Sequence, residues 1–460
     1  MSAPSLAVVI LAAGKGTRMH SSVPKVLHPL AGVPMLKRVV RTACELSEDI
    51  IVVTSPDAEA VRSELATAGV RFAVQERQRG TGDALAAALP EIPADVDQVL
   101  VLCGDVPLLA AATLQRLRAV TAAGGVSLVT ARFPDPKGLG RILRDGEGCI
   151  SGIVEERDAT PAERRIDEIN TGIYLLPRAR LDAWLGRLDA GNAQGEYYLT
   201  DIIRFAVESG LAVASITCDD LTEVTGVNDR AGLVRLEREF SRRVAEQLLA
   251  AGVTVMDPAR VDVRGELHVG QDTVIDVNCV FTGKVVIGRN VQVGAHCVIE
   301  DASIDDGAII APFTHIQGAH VGSEARVGPF ARLREGTDLG ERCRIGNFVE
   351  TKNTQLGADS KANHLAYLGD AILGEGCNVG AGTITCNYDG VDKHPTILGD
   401  GVFVGSNSTL VAPVRVADRA YVAAGSTITS PVPADGLGVG RARQRNIAGW
   451  KRPKKTTEAD

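Results

Sequence analysis

From about residue 251 an aliphatic residue followed by glycine recurs along the chain, at Val269-Gly270, Ile287-Gly288, Val293-Gly294, Val321-Gly322, Val327-Gly328, Leu339-Gly340, Ile345-Gly346, Leu373-Gly374, Val379-Gly380, Leu398-Gly399 and Val404-Gly405. Most intervals between neighbouring glycines are 6 or a multiple of 6, as in 270 to 288, 288 to 294, 322 to 328 and 340 to 346. A hexapeptide period of this kind specifies a parallel β-helix. Three hexads close a triangular coil, each sending one aliphatic side chain inward, with the glycines expected at the corners. Coils stacked at ~4.8 Å would give roughly nine layers and a prism about 40 Å long. The 49 glycines and the 4% aromatic content of the 460 residues suit such a prism, lined by Val, Ile and Leu.

Departures from the period are expected to be inserted loops, the usual carriers of function in a solenoid. The glycine intervals 294 to 322 and 346 to 374 are both 28, and 380 to 399 is 19. The last contains the turn-rich run from Asn387 to Pro395. His364 falls in the second, and a polar set (Lys352, Tyr367, Asn378, Asn387 and Tyr388) interrupts the aliphatic pattern around it. Histidine has the pKa needed to take a proton from an attacking nucleophile. A lone histidine more commonly serves structure, and its position is what favours chemistry. The C-terminal run carries Arg441, Arg443, Arg445, Lys451, Arg452, Lys454 and Lys455 around Trp450, either a solvated tail or an arm that meets an anionic cofactor on a neighbouring subunit.

The first half reads differently. Leu6–Ala12, Ile50–Thr54, Arg71–Gln75, Gln98–Leu102 and Val126–Ala131 are aliphatic strands, alternating with helical patterns over Pro34–Leu46, Ala58–Ala68, Thr81–Leu89 and Thr113–Thr121. This alternation predicts an α/β, Rossmann-like domain with a mostly parallel sheet. A long helix from Arg230 to Ala250, with Leu233, Leu236, Phe240, Val244 and Leu248 on one face, reads as a connection. The expected organisation is therefore 1–229, a linker helix 230–250, and a β-helix 251–460. Gly14 and Gly16, directly after the first strand, would let backbone amides approach a phosphate, with Arg18 and Lys25 supplying charge. Gly104-Asp105 ends another strand and sets a carboxylate at the carboxyl edge of the sheet, where ligands of open α/β folds bind.

A formal charge of −8 gives no electrostatic reason to bind nucleic acid. Nine cysteines without a C-x-x-C pair fit neither zinc nor a disulfide scaffold. No segment is long and apolar enough to span a membrane, and the run Leu6 to Ala13 lacks the basic flank of a signal peptide. A cytoplasmic, membrane-free enzyme is expected.

Leu11–Met19, Pro24-Lys25-Val26-Leu27, Gly80-Thr81-Gly82, Gly104–Leu108, Glu168–Gly172 and Gly226-Val227-Asn228 resemble the sugar-1-phosphate nucleotidyltransferases. Joined to a β-helix, nearly the whole chain resembles the bifunctional bacterial family that acetylates glucosamine 1-phosphate and then uridylylates the product, a precursor of peptidoglycan and lipopolysaccharide. That resemblance implies a left-handed β-helix, a homotrimer, Mg2+, and acetyl-CoA and UTP as co-substrates. It implies that Asp105 and Asn228 hold the metal and that Arg18 and Lys25 offset phosphate charge. Leu11, Ala12, Ala13, Gly14, Gln75, Gly80, Thr81, Cys103 and Gly104 would surround the nucleotide, and Gly140, Glu155 and Asn170 the sugar. In the β-helix His364 would be the general base. Arg334, Lys352, Tyr367, Asn378 and Lys393 would bind the sugar phosphate, and Ala381, Asn387, Tyr388, Ser406, Ala424 and Arg441 acetyl-CoA. Asp83, Glu335 and Pro395 depart from the family pattern; Asp83 would repel phosphate or cap the following helix, and Glu335 sets a second carboxylate beside Arg334. A β-helix serving only as an oligomerisation scaffold is the alternative, and His364, Asn387-Tyr388 and the basic tail argue against it.

Overall fold

The computed structural model describes residues 4–453, and the chain divides into two compact units between Arg242 and Arg243. Lys454 and Lys455 lie outside the described residues.

In the first unit the expected strands form as Leu6–Leu11, Asp49–Thr54, Arg71–Val74, Gln98–Cys103 and Val126–Arg132. Side chains alternate across the sheet because successive residues of a strand face opposite sides. Val8 and Ile10 enter one core with Leu36 and Val39, while Ala7 and Val9 enter the other with Leu85 and Ala88. The sheet runs Val213–Thr217, Val126–Arg132, Glu168–Pro177, Gln98–Cys103, Leu6–Leu11, Asp49–Thr54, Arg71–Val74. Its pairings are parallel except at Glu168–Pro177, which is antiparallel to both neighbours and also pairs with the hairpin of Arg141–Arg144 and Ile150–Val154. The helical patterns settle as Met35–Cys44, Glu59–Glu64, Thr81–Ala88 and Ala111–Val120. Two further helices, Arg178–Leu185 and Asp201–Glu208, have no counterpart among the expected elements. The helix Arg230–Ala250 begins in this unit, where Leu236 joins Leu30, Met35 and Val227.

The second unit is a left-handed parallel β-helix. One of its faces is an 11-stranded ladder from Thr254–Val255 to Leu437–Gly438, more layers than the roughly nine expected. Val255, Ile275, Val293, Ile310, Val327 and Ile345 stack inward on successive layers, and Phe281 is the single aromatic in that core among the described residues.

The two intervals of 28 contain no inserted loop. There the coil turns in 17 residues rather than 18, as from Val293 to Ile310 to Val327 and from Ile345 to Ala362 to Val379, so the glycines change face without any excursion. A corner can lose one residue while the inward side chains keep their register. His364 accordingly lies on a coil wall, at the end of Lys361–His364. The interval 380 to 399 does contain a loop. Tyr388 and Lys393 bridge antiparallel, and the His394 amide donates to the Asn387 carbonyl at 2.8 Å.

The glycines, too, sit elsewhere than expected. The left-handed corner positions are largely filled by other residues, among them Asn290, Phe313, Phe330, Arg342, Phe348 and Asp359. The hexad glycine follows the inward aliphatic, where the next coil comes too close for a Cβ. At Gly346 that atom would lie 1.9 Å from the Asn363 carbonyl oxygen, and at Gly270 2.6 Å from the Gly288 carbonyl. Inside the corners, small polar side chains turn their donors onto carbonyls: Thr273 to Gly288, Cys343 to Gly357 at 3.1 Å, Ser360 to Gly374 at 2.7 Å and Cys377 to Gly399 at 3.0 Å. The scattered cysteines of this unit thus share a role with serine and threonine. Burial pushes the Cys343 thiol up to about 11, which keeps it protonated and unreactive.

Gly346→Ala should lower stability by roughly 1–3 kcal/mol through forced separation of two coils. Thermal unfolding of the second unit's transition would register it; an unchanged midpoint would contradict the close-approach explanation.

Candidate active sites

The carboxyl ends of Leu6–Leu11 and Gln98–Cys103 are tied together where the Gly104 amide donates to the Leu11 carbonyl at 2.9 Å. Beside this junction lies a cavity of about 280 Å³, lined by Leu11, Ala12, Ala13, Gly14, Lys25, Gln75, Gly80, Thr81, Cys103 and Asp105, all expected there, with Val26, Gln78, Ala84 and Glu196 in addition. The Gln78 carboxamide donates to the Ala13 carbonyl at 2.7 Å and closes one side.

Lys25 pairs with Asp105, and both are largely buried. Gly16 has φ 58°, and a Cβ there would lie 2.5 Å from Lys25 Cβ, so this glycine makes room for the lysine rather than for a ligand. Arg18 donates to Asn228 Oδ1 at 2.9 Å. The Val227 amide donates to the Asp105 carbonyl at 2.9 Å, which anchors the segment carrying Asn228 beside the aspartate. Each of the two oxygen-bearing side chains is thus met by one cation. Burial pushes the Cys103 thiol up to about 12, with the Asp105 charge adding to it, so it presents a neutral wall.

Gly140, Glu155 and Asn170 assemble as a second cluster. The Asn170 amide donates to the Gly140 carbonyl at 2.9 Å, and a Cβ on Gly140 would come within 3.4 Å of Glu155 Oε2. Asn170 Nδ2 donates to the Tyr174 hydroxyl at 2.6 Å. Tyr174 and Thr200, which contacts Glu155, carry no motif that would single them out in the sequence. Burial raises the Glu155 pKa, with Asp158, Glu196 and Asp201 contributing in the same direction.

Asp83 makes no capping bond to the helix it begins. It accepts from Gln75 Nε2 at 2.9 Å and from Arg79 Nη2 at 2.7 Å. Arg79 answers its charge, and the carboxylate is turned towards the glutamine.

In the β-helix the exposed His364 stacks in register on Asn347 of the preceding coil, with Nδ1 3.0 Å from Asn347 Oδ1. Donation from Nδ1 to this oxygen leaves Nε2 as the basic nitrogen. Sequence reading passed over Asn347 because only the coil register brings it there. Along the corner that follows, the Gly382 amide donates to the Leu365 carbonyl, Asn407 to Ala381, and Gly425 to Ser406, while the Arg441 guanidinium reaches the Ala424 carbonyl at 2.7 Å. Ala381, Ser406 and Ala424 thus run in one column away from His364.

Around the corner, Tyr367 begins the next face, and Asp370 gathers the polar set. Burial pushes its carboxyl up, but hydrogen bonds from Asn353 and Asn387 and the Lys393 and Lys352 charges bring it below the usual range. Arg334 pairs with Glu350 at 2.9 Å, so its carboxylate partner is Glu350 rather than the adjacent Glu335. Pro395 lines a groove with Lys393, Asn353 and Asp370. Asn378 stands apart from this cluster, on the other face, between Lys361 and Phe403. Tyr388 projects from the hairpin and is exposed. Of the basic tail, Arg441 to Arg452 are exposed and form no helix or strand. No helix among the described residues is long and apolar enough to cross a membrane.

Residues 8–182 match the MobA-like NTP transferase domain family, 263–345 the GMPPB C-terminal domain, and 395–430 the bacterial transferase hexapeptide of six repeats. The chain is 54% identical over 452 residues to the bifunctional protein GlmU of Pseudomonas entomophila, covering 98% of this chain and 99% of that one. It is 53% identical to the protein of the same name from Alkalilimnicola ehrlichii, over 98% and 97%.

The raised pKa of Glu155 carries a sign. Its neutral form is compatible with burial, and stability is lost as pH rises through the folded pKa. Glu155→Gln should therefore gain in melting temperature over the parent protein at pH 8 relative to pH 4; a difference independent of pH would remove the burial argument.

Proposed function

The chain belongs to the family of bifunctional GlmU proteins, and we infer from its two sites that it catalyses successive steps in making UDP-N-acetylglucosamine. The β-helix acetylates glucosamine 1-phosphate with acetyl-CoA, and the first unit then transfers uridylyl from UTP to the N-acetylglucosamine 1-phosphate, releasing pyrophosphate. The carrying observation is the pairing, on one chain, of the Lys25–Asp105 and Arg18–Asn228 contacts with a His364 whose free nitrogen is set by Asn347. A scaffold would need no such histidine.

In acetyl transfer the amine attacks the thioester carbonyl carbon and the carbon–sulfur bond breaks. His364 Nε2 accepts the proton shed by nitrogen and returns it to the departing thiolate. Tyr367, Lys352, Lys393 and Arg334 hold the sugar phosphate on one side of the corner, with Asn378 assigned to the same role. Ala381, Ser406, Ala424 and Arg441 guide acetyl-CoA along the column, beside Asn387 and Tyr388.

In uridylyl transfer a phosphate oxygen of the sugar attacks the α-phosphorus as the bond to pyrophosphate breaks. Such a step needs positioning and charge stabilisation. Lys25 and Arg18 meet the phosphates, Gly14 presents its amide, and Gly140, Glu155 and Asn170 hold the sugar. Asp105 and Asn228 fit Mg2+: both offer hard oxygen donors, and each is now answered by a cationic side chain, so the locus already favours positive charge. Among the described residues no cluster of three or more His, Cys, Asp or Glu supplies a full ligand set, so the phosphates would complete it. The ion supplies charge neutralisation on those phosphates.

Three copies associate in this reading. Asn378 lies on a different face from Tyr367 and Lys393, so a sugar phosphate that contacts all three would bind at a seam between copies. Heterologous contacts closed around a three-fold axis would supply three such seams.

Incubating the protein with acetyl-CoA, glucosamine 1-phosphate, UTP and Mg2+ should yield UDP-N-acetylglucosamine and pyrophosphate by mass. His364→Ala should lower acetyl transfer at least about 100-fold while sparing uridylyl transfer, and Asp105→Ala should do the reverse. Retention of full Mg2+-dependent uridylyl transfer by Asp105→Ala would refute the metal assignment. Sedimentation should give a trimer at micromolar concentration, and a monomer would refute the shared seam.

A further inference from the structure

We propose that Asp83 is the positioning residue that makes the nucleotide site select a uracil-type base over cytosine, by fixing which way the Gln75 carboxamide faces. The inference rests on the reading that the nucleotide base of UTP occupies the cavity lined by Gln75.

Gln75 is 4% exposed, on the chain just beyond the strand Arg71–Val74. Its Nε2 donates to two acceptors, Asp83 Oδ2 at 2.9 Å and the Gly80 carbonyl at 3.0 Å. The opposite orientation would place Oε1 against a carboxylate and a carbonyl, three acceptors with no proton between them, which is the costlier arrangement in a buried site. Both amide hydrogens are thus engaged, and Oε1 is the one polar atom of the side chain left for a ligand.

The aspartate is itself held. Its other oxygen accepts from Arg79 Nη2 at 2.7 Å, and the Arg79 guanidinium sits 5.2 Å from the centre of the Tyr197 ring. Tyr197 is fixed in turn, because its amide donates to the Arg79 carbonyl at 2.7 Å and its carbonyl accepts from the Gly82 amide at 2.8 Å. The chain of contacts runs Tyr197, Arg79, Asp83, Gln75, and ends on a hydrogen-bond acceptor at the cavity wall.

An acceptor at that point distinguishes pyrimidines. Uracil and thymine carry a hydrogen on N3 and can donate to Oε1, whereas cytosine presents a lone pair at N3. An acceptor fixed opposite N3 in a buried site disfavours such a base, because two lone pairs would face each other without water. Substituting asparagine at 83 removes this constraint. Arg79 would still claim the side-chain oxygen, so the new amide group would face Gln75, and with only the Gly80 carbonyl left to hold Nε2 the carboxamide would no longer be fixed with Oε1 towards the base.

The test compares kcat/KM for UTP and CTP in nucleotidyl transfer to N-acetylglucosamine 1-phosphate by the full-length protein with Mg2+. For Asp83→Asn the ratio of UTP to CTP efficiency should fall about tenfold or more, mainly through a higher KM for UTP. Asp83→Glu, which keeps the carboxylate, should retain a larger share of the ratio. A thermal transition of the first unit unchanged from the parent protein reports that this unit has folded in each variant. An unchanged ratio in Asp83→Asn, including an equal loss with both nucleotides, would overturn the proposal, as would a parent protein that uses CTP as well as UTP. A parent protein that forms no nucleotide sugar from UTP would instead refute the assigned activity itself.

Discussion

Each coil of the second unit is held by backbone hydrogen bonds to the coils above and below, and at several positions after the inward aliphatic residue the next coil comes too close for a Cβ. The hexad glycines sit at those positions. Gly346 lies so near Asn363 that no other residue would fit without parting the layers. Once the spacing is set, the inward position admits one aliphatic side chain per hexad, and the outward positions at a given height stack into columns. His364 over Asn347 is one such column. Catalytic placement here is a consequence of register: a group on one coil is oriented by whatever the preceding coil carries at the same height.

The first unit uses parallel strands differently. Its strand ends converge on one edge, and the loops that leave them carry the chemistry. Glycine again serves close approach, since Gly16 clears space for Lys25 to reach Asp105. Lys25 paired with Asp105 and Arg18 bonded to Asn228 leave each of these two cations with a partner on the protein itself. A net charge of −8 does not preclude local cations, and Lys25 and Arg18 stand together at the carboxyl edge of the first unit's sheet.

Much of this was legible beforehand. The strands Leu6–Leu11 and Gln98–Cys103 announce themselves as unbroken aliphatic runs, since strands buried on both faces have no polar positions. Ten of the residues expected around the nucleotide line one cavity, because they lie in loops directly after such strands. Glu168–Gly172 was legible as a motif but not as the start of the antiparallel strand Glu168–Pro177, for strand direction leaves no mark in composition. The 28-residue glycine intervals misled because a coil one residue short looks, in linear sequence, like an insertion.

The sequence by itself determined the two architectures and marked the glycine-bearing loop after the first strand and the histidine as candidates for chemistry. Those depend on local pattern: a period of six, a strand followed by glycines, a basic residue within one loop. What only the tertiary structure decided are the contacts between residues far apart along the chain. Asn347 orienting His364, Asp370 collecting Asn353 and Asn387, Asn378 standing on another face, and Asp83 turned to Gln75 instead of capping its helix all belong here. Hydrogen bonds choose partners by distance and direction, and neither exists until the chain has closed its coils and its sheet.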